Sequence, residues 1–119
     1  MEEKKSFKKL TVWNKSYEFT LKIYKITQKF PVSELYGLTS QIRRAATSIL
    51  ANITEGRERQ HKKEFLQFLS IARGSLGEVE TYLMLAKDLG YINNEDFVNM
   101  EELRKEIGKL LRGLYNSLS

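Results

Sequence analysis

Phe65, Leu69, Ala72, Leu76, Val79, Leu83 and Ala86 recur at alternating steps of four and three residues. An α-helix brings such a series onto one side, because about 3.6 residues complete a turn. The same periodicity returns three more times. Leu38, Ile42, Ala45, Ile49 and Ile53 form one stripe, and Phe97, Met100, Leu103, Ile107, Leu111, Leu114 and Leu118 another. The segment before Pro31 also repeats with helical spacing. Proline lacks an amide donor and restricts its predecessor, so this first helix ends before Phe30-Pro31. The spacing predicts helices over about 10–28, 38–55, 62–89 and 94–117, with Gly56 and Gly90 as stops and Asn93 as an N-terminal cap. No segment alternates with period two, so no sheet is expected. The predicted fold is all-α: a single domain over 1–119 forming an antiparallel up-down four-helix bundle.

Helix one carries two apolar stripes where a bundle helix needs one. Leu10, Trp13, Tyr17, Leu21 and Tyr24 form the first and are assigned to the core. Val12, Phe19, Ile23, Ile26 and Phe30 form the second, more than a quarter turn away. Between them on the open side runs a wedge of Lys8, Lys15, Lys22 and Lys29, with Lys25 nearby. On helix three, Ser70, Gly74, Gly77 and Thr81 align away from the apolar stripe. Each glycine inside a helix costs about 0.5–1 kcal/mol relative to alanine. Either these glycines are tolerated on a wet face, or another backbone approaches them. Exposing both helix-one stripes leaves a large apolar patch. A homo-oligomer covering Val12, Phe19, Ile23 and Ile26, together with Ser70, Gly74, Gly77 and Thr81, is the simplest answer. A central position for helix one is the alternative.

Composition narrows the setting. Hydrophobic residues make up 41% and charged residues 29%, a globular balance. No apolar run approaches the roughly 20 residues needed to cross a bilayer, and no signal peptide is recognisable. The absence of cysteine suits a reducing compartment, so a cytoplasmic location and no membrane contact are expected. Asn52-Ile53-Thr54 matches a glycosylation pattern that has no use without export.

Little in the chain suggests catalysis. The sole histidine, His61, lies among lysines that repel cations, so neither a metal nor a cofactor is expected. Gly74-Ser75-Leu76-Gly77 falls mid-helix, unlike a phosphate loop. The expectation is no enzyme. Helix two carries a polar stripe of Gln41, Arg44, Ser48, Asn52 and Glu55, in which Arg44 and Glu55 could bracket a hydrogen-bonded row. It reads as a structural network, with a small-molecule pocket as the alternative.

Net charge is +5, and the lysine-rich first 30 residues account for all of it. Two features could meet phosphates: the lysine wedge, and the junction Arg57-Glu58-Arg59-Gln60-His61-Lys62-Lys63. Neither interleaves its cations with exposed aromatics. Taken singly, each is also compatible with a solvated face.

The runs Leu10-Thr11-Val12-Trp13, Ile23-Tyr24, Phe30-Pro31 and Tyr36-Gly37-Leu38 resemble the 23S rRNA intervening-sequence protein family. So do Gln41-Ile42-Arg43-Arg44-Ala45-Ala46, Ser48-Ile49, Asn52-Ile53-Thr54-Glu55-Gly56 and Glu64-Phe65 through Leu76. The resemblance runs from about Phe7 to Tyr91 and more loosely to the C-terminus; Thr54 stands where the family more often has alanine. It implies a four-helix bundle assembling as a homopentameric ring. Some relatives are encoded inside rRNA insertions, and others are retroelement accessory proteins whose basic barrel binds nucleic acid and a reverse transcriptase. The combined expectation is a non-enzymatic homo-oligomer that binds structured RNA or DNA. Arg43, Arg57, Arg59, Lys62 and Lys63 are the first candidates for phosphate contact, and Lys15, Lys22 and Lys29 the second. The alternative is a protein-interaction scaffold, for a reverse transcriptase or a ribosome-associated partner, with no nucleic-acid role.

Overall fold

Leu38, Ile42, Ala45, Ile49 and Ile53 all turn inward, and so does the whole Phe65–Ala86 series, which seats two of the helices. The computed structural model describes residues 2–119, with side chains from Lys9 onward. Its helices are α1 (Glu2–Thr27), α2 (Leu38–Arg57), α3 (Lys62–Asp88) and α4 (Asn94–Leu118), with a single 3-10 turn at Val32–Glu34. No strand occurs among the described residues. Contacts close a cycle, α1 with α2, α2 with α3, α3 with α4 and α4 with α1, around one shared core. None of these helices is long and apolar enough to cross a membrane.

The turns follow their chemistry. Gly90 has φ +80, and the amides of Tyr91 and Gly90 donate to the Ala86 and Lys87 carbonyls at 2.8 and 3.0 Å. This pair of bonds satisfies the end of α3, and glycine enters the left-handed conformation without Cβ strain. Asn93 Oδ1 accepts from the Asp96 amide at 2.7 Å, capping α4. Asn93→Ala is expected to cost about 1 kcal/mol, read from the urea unfolding midpoint.

Gly56 does not stop α2, contrary to expectation. The helix runs on to Arg57, and Gly56 is not among the positive-φ glycines. Its role is clearance: a Cβ there would lie 2.6 Å from Phe65 Cδ1, a ring that is itself buried. The glycine lets the start of α3 lie against the last turn of α2.

Helix α1 reverses the expected sides. Val12, Phe19 and Ile23 are completely buried within their own chain, and Ile26 is half-buried against the same core. The interface expected of Val12, Phe19 and Ile23 is therefore corrected, since a sealed side chain offers no surface to a partner; half-buried Ile26 is not sealed. Leu10, Tyr17, Leu21 and Tyr24, expected inside, are exposed. The buried stripe is completed by Ser16, Thr20 and Thr27. Thr20 and Thr27 donate to the Ser16 and Ile23 carbonyls one turn back, at 2.8 and 2.7 Å. A threonine so paired enters a core at little cost.

Candidate nucleic-acid interface

The clearance at Gly56 shapes the junction between α2 and α3. With α3 drawn in, Phe65 and Phe68 form an aromatic floor for nearby cations. Lys9 of α1 sets its Nζ 4.9 Å from the Phe65 ring centroid, and the Arg59 guanidinium lies 4.9 Å from that of Phe68. Lys9, Arg59, Gln60, His61, Lys62, Phe65 and Leu118 line a surface hollow of about 220 Å³. Three separate stretches of sequence meet there. Arg57, Lys62 and Lys63 are exposed and make no ion pair among the described residues. Arg59 is different: its guanidinium reaches Glu55 at 3.0 Å and Glu64 at 4.0 Å, which offsets much of its charge.

The remaining candidate cations do not join this cluster. Arg43 stands 14 residues before Arg57 on α2, about 20 Å along the axis. Its Nε donates to Thr27 Oγ1 at 2.8 Å and its Nη2 to the Tyr24 carbonyl at 3.4 Å, so it clamps α1 to α2. Lys15 pairs with Glu106 of α4 at 3.3 Å, and Lys22 with Glu18 at 3.6 Å. Exposed pairs of this kind contribute little stability, but they reduce the free charge of the wedge. Lys29 is exposed without an ion pair among the described residues, and the Lys8 side chain lies outside them.

The polar stripe of α2 is only partly the row expected. Asn52 Nδ2 donates to the Ser48 carbonyl at 2.8 Å and to its Oγ at 3.1 Å. Ser48 Oγ in turn meets Ser75 Oγ at 2.8 Å, which ties α2 to α3. Glu55 is taken by Arg59, and Gln41 and Arg44 are exposed, so the bracketing of the row by Arg44 and Glu55 is corrected.

Two polar clusters escaped the sequence. Arg104, nearly buried on α4, donates to Glu101 at 2.6 Å and to Glu80 of α3 at 2.8 Å. Hydrogen bonding to Glu101, opposed by burial and helped by both carboxylate charges, pushes its pKa above the ordinary value. An arginine at a position adjoining the apolar stripe of α4 was the available signal. In the second cluster, Tyr91 OH donates to Glu34 Oε2 at 2.8 Å, while Glu34 Oε1 accepts the Leu38 amide and so caps α2.

The Tyr91 hydroxyl, and then the Leu38 amide, hold the Glu34 carboxyl below its ordinary value of 4.5. The stabilisation is complete above 4.5 and is lost as pH falls through the depressed folded value. Tyr91 is correspondingly raised above 10.0 by Glu34, so its share is present below 10.0 and lost as pH rises through the raised value. Tyr91→Phe should lower the urea midpoint at neutral pH, and its deficit should shrink as pH falls below 4.5 and through the depressed Glu34 value. A deficit that stays constant with pH would exclude the link.

Surface apolar groups cluster too. The Trp13 and Tyr17 rings stack at 5.3 Å, next to exposed Leu10, Leu21 and Tyr24. On α3, Ser70, Gly74, Gly77 and Thr81 are exposed, and a Cβ at either glycine would meet nothing within 4 Å among the described residues.

A profile of the 23S rRNA-intervening sequence protein family matches residues 8–113. Among solved structures, one from Bacteroides thetaiotaomicron VPI-5482 is described as a protein with unknown function from the S23 ribosomal protein family. It is 34% identical, with a TM-score of 0.81, and the match covers 92% of this chain and 98% of that one. No curated protein matches the chain.

Proposed function

Because the chain belongs to the 23S rRNA-intervening sequence protein family, we propose that it is a non-enzymatic homo-oligomer that binds structured RNA or DNA through the α2–α3 junction. In this reading the four helices alternate in direction, and copies of the chain close a cytoplasmic ring of five, as the family resemblance implies. The observation that carries the binding reading is the set of Arg57, Lys62 and Lys63, exposed and without ion pairs among the described residues. Unpaired cations can neutralise phosphates and release the counterions condensed on the nucleic acid, so affinity falls steeply with salt. A ring multiplies the effect by repeating the same cations along one surface.

The assembly reading rests on exposed Leu10, Tyr17 and Leu21, with the small-residue row of α3 as a second face. The same apolar groups favour a second reading, in which the chain is a scaffold for a protein partner and its charges serve solubility. That reading expects a partner that co-purifies through nuclease treatment.

Fluorescence anisotropy with a labelled RNA hairpin and a DNA duplex separates the two. Binding at about 50 mM salt should weaken linearly on a log–log plot, with a slope near −0.9 for each duplex phosphate contacted. Replacing Arg57, Lys62 and Lys63 together with glutamine should flatten that slope. Absence of binding at low salt, or a slope the triple variant leaves unchanged, would refute the reading.

A further inference from the structure

Another groove, on the α1–α2 face, has a different chemistry. Tyr24, Leu35, Tyr36, Ser40, Arg43, Arg44 and neighbouring threonines line an open depression of about 500 Å³. That volume lies within the range of small-ligand sites. Among the described residues its lining includes two arginines and two tyrosines and no carboxylate. By contrast, the arginine at the α2–α3 hollow is held by Glu55 and Glu64.

Tyr36 is 93% exposed, so its ring adds almost nothing to the core. Its backbone is nevertheless held in place: the next amide, Gly37, donates to the Glu34 carbonyl at 2.9 Å, and α2 begins at Leu38. Nearby, the Arg43 guanidinium sits 4.7 Å from the Tyr24 ring centroid, pinned by Thr27 Oγ1 and the Tyr24 carbonyl. The side-chain freedom of this flat cation is lost on folding rather than on binding. Arg44 beside it is exposed and makes no ion pair among the described residues.

Flat rings, a fixed planar cation and a free cation with no opposing acid together suit a base and its phosphate. We infer that this groove holds unpaired nucleotides of RNA or DNA, with bases stacking on Tyr36 and on the Tyr24–Arg43 pair while Arg44 meets the phosphate. A base inside a duplex is covered on both faces and cannot lie on these rings, so the occupant is single-stranded. A second copy of the chain is disfavoured by overall like charge, since its net charge is +5. The inference shares its ligand class with the proposed function but uses another surface, since Arg44 lies about 20 Å along α2 from Arg57.

The test compares labelled oligo(dT) of about 12 nucleotides with a DNA duplex, by anisotropy at fixed low salt. Tyr36→Ala should weaken oligo(dT) binding by about fivefold or more while leaving the duplex within about twofold. Tyr36→Phe, which keeps the ring, should bind as the parent does, and Arg44→Gln should weaken the single strand selectively. Equal losses for both probes, or no loss with Tyr36→Ala, overturn the inference. So does a changed light-scattering mass for Tyr36→Ala, which would make the groove a contact between copies. A parent protein that binds duplex but not oligo(dT) removes this groove alone. Failure to bind either probe removes the proposed function as well.

Discussion

Phe19→Ala is expected to lower the stability of the chain by about 3–5 kcal/mol, measured by urea unfolding. Phe19 is completely buried and is among the largest fully sealed side chains, flanked on its stripe by Val12 and Ile23. Truncation removes the transfer free energy of a benzyl group and leaves a cavity that helical neighbours fill only in part. Leu21→Ala is the control, because Leu21 is 56% exposed on the opposite stripe. Its effect on unfolding of the single chain should stay within about 0.5 kcal/mol. If α1 presents Leu21 to another copy, the same variant should instead reduce the mass seen by light scattering. Comparable unfolding losses for the two variants would refute the assignment of inner and outer sides.

Arg104→Met should cost a comparable amount, about 3–5 kcal/mol, for an electrostatic reason. The Arg104 and Glu101 side chains are 11% and 13% exposed, and Glu80 is 45% exposed. Removing the guanidinium strands Glu101 as an unpaired, largely desolvated carboxylate, which is far worse than having no ion pair there. Glu80 is wet enough to be rehydrated. The double variant Arg104→Met with Glu101→Leu should therefore recover much of the loss. A double variant as unstable as the single one would show that packing of the arginine stem, rather than charge, holds α3 to α4.

The contrast between these two sites explains what the sequence could disclose. On α2, α3 and α4 the apolar stripes are continuous, and Ile42, Leu69, Val79, Ile107 and Leu111 are inside as their spacing requires. Gly90 and Asn93 likewise act through backbone chemistry that is local to a few residues. Helix α1 misled because the inward stripe is interrupted by Ser16, Thr20 and Thr27, whereas the outward one is unbroken and aromatic. Counting hydrophobic side chains favours the wrong side when buried hydroxyls such as those of Thr20 and Thr27 bond to their own helix. Gly56 misled in the same way: a glycine near a helix end suggests a stop, and only the position of Phe65 shows that it provides clearance.

Charge was harder to read, because the sequence gives the sign of a side chain but not its partner. Arg43 and Arg57 look equivalent in the chain, yet one is bound to Thr27 and Tyr24 while the other is exposed. Ser75 and Glu80, from α3, each complete a cluster on a neighbouring helix that no local pattern announces.

Ser16 is a local conflict in α1: its Oγ is buried and has no hydrogen-bond partner among the described residues. Trp13, one turn earlier and the sole tryptophan, stands half-buried between the sealed side and the open one, with its indole N–H donated to Thr54 Oγ1 at 2.9 Å. The molecule therefore contains a built-in optical gauge. Detachment of α1 from α2 wets the indole and moves its emission to the red, whereas a body settling over Leu10, Tyr17 and Leu21 dries it and moves the emission to the blue. A single unlabelled spectrum can thus distinguish loosening within one subunit from association between subunits.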